Sequence, residues 1–158
     1  MIRKISAVIG IIVLAGCTLM SENKIDYSNL KVSDGEMLKD KWKDLSRFPA
    51  RYPLASAKSS RAGCVTVEYV ITPDYNVENI VVTDFSNKDF SNNSKDVISK
   101  WKWSEMPKGL LTTAIKTQTR FDFCVESEGL SCADVIDSFS CVGTDTISSI
   151  GTKIRRRS

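Results

Sequence analysis

The spacing of hydrophobic residues changes along the chain, and its first clear pattern is helical. Apolar positions recur every three or four residues from Met37 to Leu45, and Asp34 is placed to cap the first turn. Pro49 cannot continue a helix because it lacks the backbone N–H group. These features predict a helix that begins after Asp34 and ends before Pro49.

Two runs typical of β-strands follow and predict a β-hairpin. In residues 64–71 an apolar face alternates with a more polar one, and residues 77–83 are rich in β-branched side chains. Residues 72–76 between them contain a proline and an asparagine, both of which favour turns. The two strands should therefore be antiparallel neighbours.

A second helix and a third strand complete the pattern. Ser94 can cap a helix that carries Trp101 as a core residue and ends before Pro107, and residues 115–125 form another alternating run. The order helix, strand, strand, helix, strand predicts an α+β fold. We expect a small two-layer domain, with a three-stranded antiparallel sheet that carries two helices on one face. The other face should contact solvent.

The N-terminal residues 1–16 resemble a bacterial lipoprotein signal peptide. Two basic residues precede an apolar run shorter than the roughly 20 residues that a bilayer-spanning helix needs. Small residues then precede Cys17, which predicts lipidation of Cys17. An ordinary signal peptide with a chance cysteine is the alternative. Thr18 stands where an aspartate would favour the inner membrane, so we expect the outer membrane.

The polar residues 17–35 lack periodicity and are expected to form a flexible tether that starts at the lipidated cysteine. The predicted domain then covers residues 36–125. Residues 126–158 form a C-terminal extension, in which residues 133–139 could be a short helix.

The composition excludes several classes of protein. None of the 158 residues is histidine, which rules out histidine-dependent triads and dyads and every histidine-ligated metal site. The net charge of +3 is concentrated at the two ends, because residues 5–152 contain 16 basic and 19 acidic residues. This slightly acidic body argues against a nucleic-acid-binding protein. Since the chain also lacks a glycine-rich phosphate loop, we expect neither an enzyme nor a cofactor.

Five cysteines are an odd number, and lipidation of Cys17 would leave four. In an oxidising compartment Cys64, Cys124, Cys132 and Cys141 are expected to form two disulfides, for which three pairings exist. Four buried free thiols are the alternative. A zinc site is not expected because the chain has no C-x-x-C pair and no histidine.

The order of several short motifs resembles the C-terminal domain of TonB-type energy transducers, over roughly residues 48–125. No single motif is specific, but their order and spacing together are. The motifs are Arg51-Tyr52-Pro53, Gly63-x-Val65-x-Val67-x-Tyr69, Thr72-Pro73-Asp74, Val77-x-Asn79-x-Val81 and Trp101-x-Trp103 before Pro107.

The resemblance implies a binding role in the periplasm. Domains of this family dock with a short segment of an outer-membrane transporter, which adds as a strand to the edge of the last β-strand. Here that edge would be residues 117–123, with Tyr52 and Pro53 nearby. Alternatively, Tyr52 and Pro53 only fix where the chain joins the sheet. The expected partner-binding residues are Arg51, Tyr52, Pro53, Thr117, Thr119, Phe121 and Phe123.

The chain departs from complete transducers of this family. It has no apolar segment long enough for an inner-membrane helix, no histidine and, with four prolines, no proline-rich spacer. In the hairpin turn, family members usually have glycine where this chain has Tyr75-Asn76. We therefore expect a receptor-facing module on a lipid anchor, which cannot transmit proton-motive energy by itself.

The resemblance also implies a disulfide pairing. In the family's sheet the last strand lies antiparallel to the first, so Cys64 and Cys124 would lie opposite each other on the polar face. Cys132 and Cys141 would then pair.

The basic residues 153–157 would contact anionic lipid, or else form a solvated, disordered end.

Together these features predict a periplasm-facing lipoprotein that binds an outer-membrane transporter or a related partner by strand addition, in TonB-dependent transmembrane transport. The alternative is a structural envelope protein that uses the same domain as a docking module. Exchange of strands between two copies would give a homodimer.

Overall fold

The computed structural model describes residues 25–126 and 131–152. The predicted signal peptide (1–16), the lipidation site Cys17 and the basic tail (153–157) lie outside the described residues. In the part that is described, no helix has both the length and the apolar character needed to cross a membrane.

Within the described ranges, five strands form one mixed sheet. They are β1 (Val32–Ser33), β2 (Gly63–Ile71), β3 (Val77–Phe85), β4 (Ile115–Glu126) and β5 (Thr146–Thr152). The central strand β2 pairs antiparallel with both β3 and β4, whereas β1 and β5 run parallel to β4 along its outer side. The fold is α+β as predicted, but the three-stranded antiparallel sheet is only its centre. β1 from the N-terminal segment and β5 from the C-terminal extension add to this three-stranded centre.

The described residues contain three α-helices, which are α1 (Leu54–Lys58), α2 (Ser91–Lys100) and α3 (Cys132–Ile136). α2 packs Val97 and Ile98 into the hydrophobic core on one side of the sheet. α3 lies on the opposite side, where the cysteine at its start bonds Cys124 of β4.

The first predicted helix is wrong. Two 3₁₀ turns, Glu36–Leu38 and Asp40–Trp42, take its place, with Lys39 extended between them at a ψ of 146°. On one straight helix, Met37 and Trp42 would point roughly 140° apart. The break allows both side chains to be buried in the same core.

Aromatic residues fill the space between the sheet and α2. The rings of Trp42 and Trp103 meet edge-on with their centroids 6.0 Å apart, and the centroids of Trp101 and Phe121 are 6.2 Å apart. Such pairs add to the stabilisation that burial of their large surface provides. Trp101 is therefore a core residue, as the sequence predicts.

Along β2 and β4, the opposite face of the sheet is covered, contrary to the prediction. Cys64, Thr66, Asp122 and Cys124 are each at most 1% exposed. The hydroxyl of Thr66 donates to the carbonyl of Val142 at 2.5 Å, so the C-terminal extension covers this face. The polar side chains there become buried because the extension supplies partners for them.

The four cysteines form two disulfides, but the pairing implied by the family's sheet is wrong. The bonds join Cys64 to Cys141 and Cys124 to Cys132, with Cα atoms 5.9 and 5.6 Å apart. In the register of β2 and β4, Cys64 lies opposite Asp122, so Cys124 lies two residues beyond it. Each cysteine of the sheet therefore bonds a cysteine of the extension.

Part of the predicted tether lies against the sheet. Tyr27 is buried, and β1 pairs beside Lys116 and Thr117. The hydroxyl of Thr117 also donates to the carbonyl of Ser33 at 2.9 Å. The folded unit therefore includes residues that precede residue 36.

Candidate functional site

The outer edge of β4 is the candidate docking site, and four of the predicted partner-binding residues lie on this strand. Thr117, Thr119, Phe121 and Phe123 alternate along β4 on the side of the sheet that faces the core. All four residues are fully buried. A partner strand at this edge would therefore contact the backbone of β4 rather than these side chains.

The backbone of this edge is already paired within the chain. β1 pairs beside Lys116 and Thr117, and β5 pairs beside every residue from Arg120 to Glu126. The edge at which the resemblance places a partner strand thus carries two strands of the same chain.

A buried ion pair holds the residue that precedes β5. Asp145 is fully buried, and its two carboxylate oxygens accept hydrogen bonds from Nη1 of Arg47 at 2.8 and 2.7 Å. The guanidinium of Arg47 lies over the ring of Trp101, 5.5 Å from the ring centroid. Charge-assisted hydrogen bonds are stronger than neutral ones, and loss of one partner would leave a buried charge unpaired. Arg47 and Asp145 therefore fix where β5 begins to pair with β4.

Hydroxyl and backbone donors complete the environment of Asp145. The hydroxyl of Thr119 donates to Oδ2 of Asp145 at 2.6 Å, and the hydroxyl of Tyr69, 2.9 Å away, donates in turn to Thr119. Burial raises the pKa of Tyr69, which keeps this donor protonated. The backbone N–H of Arg120 donates to the carbonyl of Asp145 at 2.8 Å.

Asp34 bridges the gap between β1 and β5. Its Oδ1 accepts from the side-chain amide of Gln118 at 3.0 Å and from the backbone N–H of Thr144 at 3.1 Å. These hydrogen bonds, that of Gln118 most strongly, lower the pKa of Asp34. The carboxylate therefore ties both added strands to the same stretch of β4.

Tyr52 lies beside the same edge. Its ring meets Phe123 edge-on with the centroids 5.6 Å apart, and a Cβ atom placed on Gly151 of β5 would lie 3.0 Å from the Tyr52 ring. The Tyr52 hydroxyl donates to the carbonyl of Arg61. Burial raises the pKa of Tyr52 to about 12. Tyr52 therefore contacts both β4 and β5.

The neighbours of Tyr52 have different surroundings. Pro53 immediately precedes α1 with an extended backbone, which fixes where the chain turns into that helix. Arg51 is exposed, and its carbonyl accepts from the side-chain amide of Asn93 at 2.6 Å. The structure thus brings Tyr52 to the edge with Phe123, whereas Pro53 fixes the path of the chain.

Two buried polar atoms beside β5 have no hydrogen-bond partner among the described residues. They are Oδ2 of Asp122 and Oγ of Ser149. Desolvation raises the pKa of Asp122 in spite of the hydrogen bond that its Oδ1 accepts from Nε of Arg120 at 2.7 Å. An unpaired buried polar group costs about 1–3 kcal/mol. The contact between β4 and β5 is therefore weaker than a fully paired one.

The opposite edge of the sheet, along β3, is irregular. Its pairing with β2 shifts between Thr66 and Val67 and again between Glu68 and Val70, and Asn79 has a φ of 48°. Such irregularities break the even row of N–H and C=O groups that an added strand needs. The backbone of β4, which pairs with β2 without a shift, is better suited to strand addition.

Sequence reasoning missed Arg47, Asp145 and the strand β5. A local signal for the strand exists, because β-branched residues follow Gly143 in the segment 146–150. No local signal connects Arg47 with Asp145, since 98 residues separate them.

A comparison with known protein families identifies the central part of this fold. Residues 49–125, about half of the chain, match the family model described as Gram-negative bacterial TonB protein C-terminal. These residues belong to the TonB C-terminal domain family. Domains of this family belong to the bacterial envelope. No curated protein and no solved structure matches the chain.

The TonB C-terminal domain contains the central strands β2, β3 and β4, together with α1 and α2. Both strands that cover the β4 edge lie outside the matched range. So do Arg47 and Asp145. The segments that flank the TonB domain therefore cover the outer edge of β4, the candidate docking edge.

Proposed function

We propose that this chain is a non-enzymatic, lipid-anchored binding protein of the periplasm. It would bind an extended segment of an outer-membrane transporter or of a related envelope partner by strand addition, in TonB-dependent transmembrane transport. The match to the TonB C-terminal domain carries this proposal. The predicted lipidation of Cys17 would hold the domain at the outer membrane.

The regularity of β4 supports strand addition as the binding mode. The strand has 12 residues and pairs with β2 from Ile115 to Phe123 without a register shift. Its outer N–H and C=O groups can therefore pair with an extended segment, as they do with β1 and β5. In this mode main-chain hydrogen bonds provide affinity.

A structural envelope protein is the second candidate, and one observation favours it. The β4 edge is covered by strands of the same chain, so a different surface of the domain could serve as a permanent docking site. In that case the protein would have no transport role.

Photo-crosslinking in living cells would distinguish the two functions. A photoreactive residue at Val32, which is partly exposed beside the β4 edge, is compared with one at Val81, which is half exposed on β3. The transport proposal predicts that mass spectrometry recovers a TonB-dependent transporter from Val32 and not from Val81. Recovery of only other envelope proteins would contradict the transport proposal and favour the structural one.

A further inference from the structure

We propose that β5 is an internal occupant of the docking edge, which the partner's segment displaces. The proposal rests on the proposed function and adds the chemistry of that partner. The segment would begin with a carboxylate that takes the place of Asp145, and would continue as a strand with an apolar residue two positions later and glycine six positions later.

The position of β5 is the first argument. Its pairing follows an unbroken register from Arg120↔Thr146 to Glu126↔Thr152, along the edge that strand addition would use. β5 also lies outside the residues that form the TonB C-terminal domain. β5 therefore occupies the position on the domain that a partner's added strand would occupy, although it belongs to the same chain.

The binding site for the leading carboxylate is the second argument. Arg47 lies over Trp101, and Thr119 is positioned by Tyr69, so both donors to Asp145 are held by residues outside the extension. A guanidinium and a hydroxyl that converge on one buried position form a site for a carboxylate. Any carboxylate that leads a strand along β4 could use the same site.

The side chains of β5 specify the rest of the segment. Ile147, two residues after Asp145, packs against the hydrophobic core. Gly151, six residues after Asp145, faces the ring of Tyr52, where a Cβ atom would lie 3.0–3.2 Å from three ring carbons. Ile150 is half exposed and is not specified. The recognised pattern is thus an acidic residue, an apolar residue at the second position and glycine at the sixth.

The attachment of the extension allows β5 to leave without the breaking of a covalent bond. Cys141 is the last cysteine, and β5 begins after it, so both disulfides persist when β5 dissociates. Oγ of Ser149 and Oδ2 of Asp122 are buried without a hydrogen-bond partner among the described residues, which reduces the stability of the paired state. The disulfides would keep the second face of the sheet covered while the edge becomes free.

The test uses the full chain and a labelled peptide with the sequence of residues 144–152, Thr-Asp-Thr-Ile-Ser-Ser-Ile-Gly-Thr. The protein variants are Asp145→Asn, which weakens the hold on β5, and Asp137→Asn, which alters an exposed aspartate of the same extension as a control. A third variant, Gly151→Val, crowds the ring of Tyr52 and is expected to weaken the pairing of β5, and it leaves the Arg47 site unchanged. It keeps the test valid if Asp145→Asn does not fold.

Hydrogen exchange of residues 146–152 and fluorescence polarisation of the peptide are the two measurements. We expect Asp145→Asn and Gly151→Val to exchange these amides at least tenfold faster than the wild type, with no change in β2. Both variants should bind the peptide at least tenfold more tightly than the wild type and the Asp137→Asn control do. A peptide with asparagine in place of its aspartate should bind at least tenfold more weakly.

Each contrary result has a distinct meaning. If the amides of β5 do not exchange faster in either variant, the proposal about β5 is wrong. It is also wrong if the asparagine peptide binds as tightly as the aspartate peptide. Neither result would contradict strand addition itself. If the peptide binds the wild type and the variants equally, without a change in the exchange of residues 146–152, the peptide binds elsewhere and the proposal is again wrong. If β5 opens and neither peptide binds, the edge does not accept an added strand, and both the proposed function and this proposal fail.

Discussion

At the scale of single residues, buried charges in this protein are compensated by several donors at once. Glu36 is 2% exposed, and its carboxylate accepts hydrogen bonds from Lys39 and from the indole N–H of Trp42 and forms an ion pair with Lys41. Burial would raise the pKa of Glu36, but these three partners together lower it to about 2. The charged form of Glu36 therefore stabilises the fold.

The free energy of unfolding should depend on pH because the carboxylate of Glu36 loses its charge in acid. The pKa of Glu36 falls from an ordinary 4.5 to about 2 on folding, so its contribution is complete above pH 4.5 and is lost as the pH falls towards 2. We expect the free energy of unfolding of the wild type to lose up to about 3 kcal/mol more than that of Glu36→Gln across this range. Urea unfolding at several pH values measures the difference.

The matched control for this prediction is Glu105→Gln, because Glu105 and its ion-pair partner Lys102 are both exposed. This variant should follow the pH dependence of the wild type. Identical pH profiles for Glu36→Gln and the wild type would contradict the prediction.

Two phenylalanines of the sheet should differ sharply in their effect on stability. Phe123 is fully buried and stacks on Phe90 with the ring centroids 4.2 Å apart, whereas Phe85 at the end of β3 is half exposed. Phe123→Ala should lower the free energy of unfolding by about 3–5 kcal/mol. Phe85→Ala serves as the control and should lower it by no more than about 1.5 kcal/mol, since only about half of this side chain is buried. Equal losses in urea unfolding would show that the core does not extend to Phe123.

At the scale of elements, the extension is held to the sheet by covalent bonds of unequal span. The Cys64–Cys141 bond joins residues 77 positions apart, and the Cys124–Cys132 bond joins residues 8 positions apart. In the chain-entropy model, a bond that closes a longer loop restricts the unfolded chain more. The two disulfides should therefore contribute differently to stability although both attach the same segment.

Removal of the two disulfides should reveal this difference. The pair of substitutions Cys64→Ala and Cys141→Ala should lower the free energy of unfolding by about 4.5 kcal/mol, and Cys124→Ala with Cys132→Ala by about 2.5 kcal/mol. Urea unfolding measures both losses, and mass spectrometry of a non-reduced digest checks the connectivity of the wild type. Equal losses, or a Cys64–Cys124 peptide in the digest, would contradict the prediction.

Elements defined by a short repeat were predictable, whereas elements that depend on distant partners were not. The alternation in β2 and β4 indicates their buried face because side chains point to opposite sides of a strand. The first helix was wrong because Lys39 adopts an extended conformation that lets the chain follow the core. β5 was missed because Ser148 and Ser149 interrupt the alternation of apolar and polar residues in its segment.

At the scale of the whole molecule, the sheet has one covered edge and one irregular edge. β2 is paired on both sides, and β3 is paired only on its inner side among residues 25–126 and 131–152. An inner strand opens only when the fold opens, whereas the outer amides of an edge strand exchange with solvent directly. The two strands of the hairpin should therefore differ in protection.

Hydrogen exchange of the native protein should show this order. Residues 63–71 are expected to exchange most slowly, and alternate amides of residues 77–85 at least a hundredfold faster, because they point away from β2. Nuclear magnetic resonance resolves the individual amides. Uniform protection along residues 77–85 at high protein concentration, lost on dilution, would show that the β3 edge pairs with a second copy and would contradict the prediction.

Part of the candidate site could be predicted from the sequence and part could not. Tyr52 and the strand that contains Phe123 were predicted to lie near each other at a candidate docking edge, and their rings are in contact. The state of that edge was not predictable, because it depends on Asp145 finding Arg47, which lies 98 residues away. No local pattern records such a pairing.

The sequence by itself determined the α+β class, the central hairpin with its third strand, and the membership of residues 49–125 in the TonB C-terminal domain family. These properties follow from side-chain periods and motif spacing, which are local. Only the tertiary structure decided the disulfide pairing, the burial of the second sheet face along β2 and β4, and the occupation of the β4 edge by β5. Each of these depends on where the extension packs, and packing between distant segments is set by the complete fold.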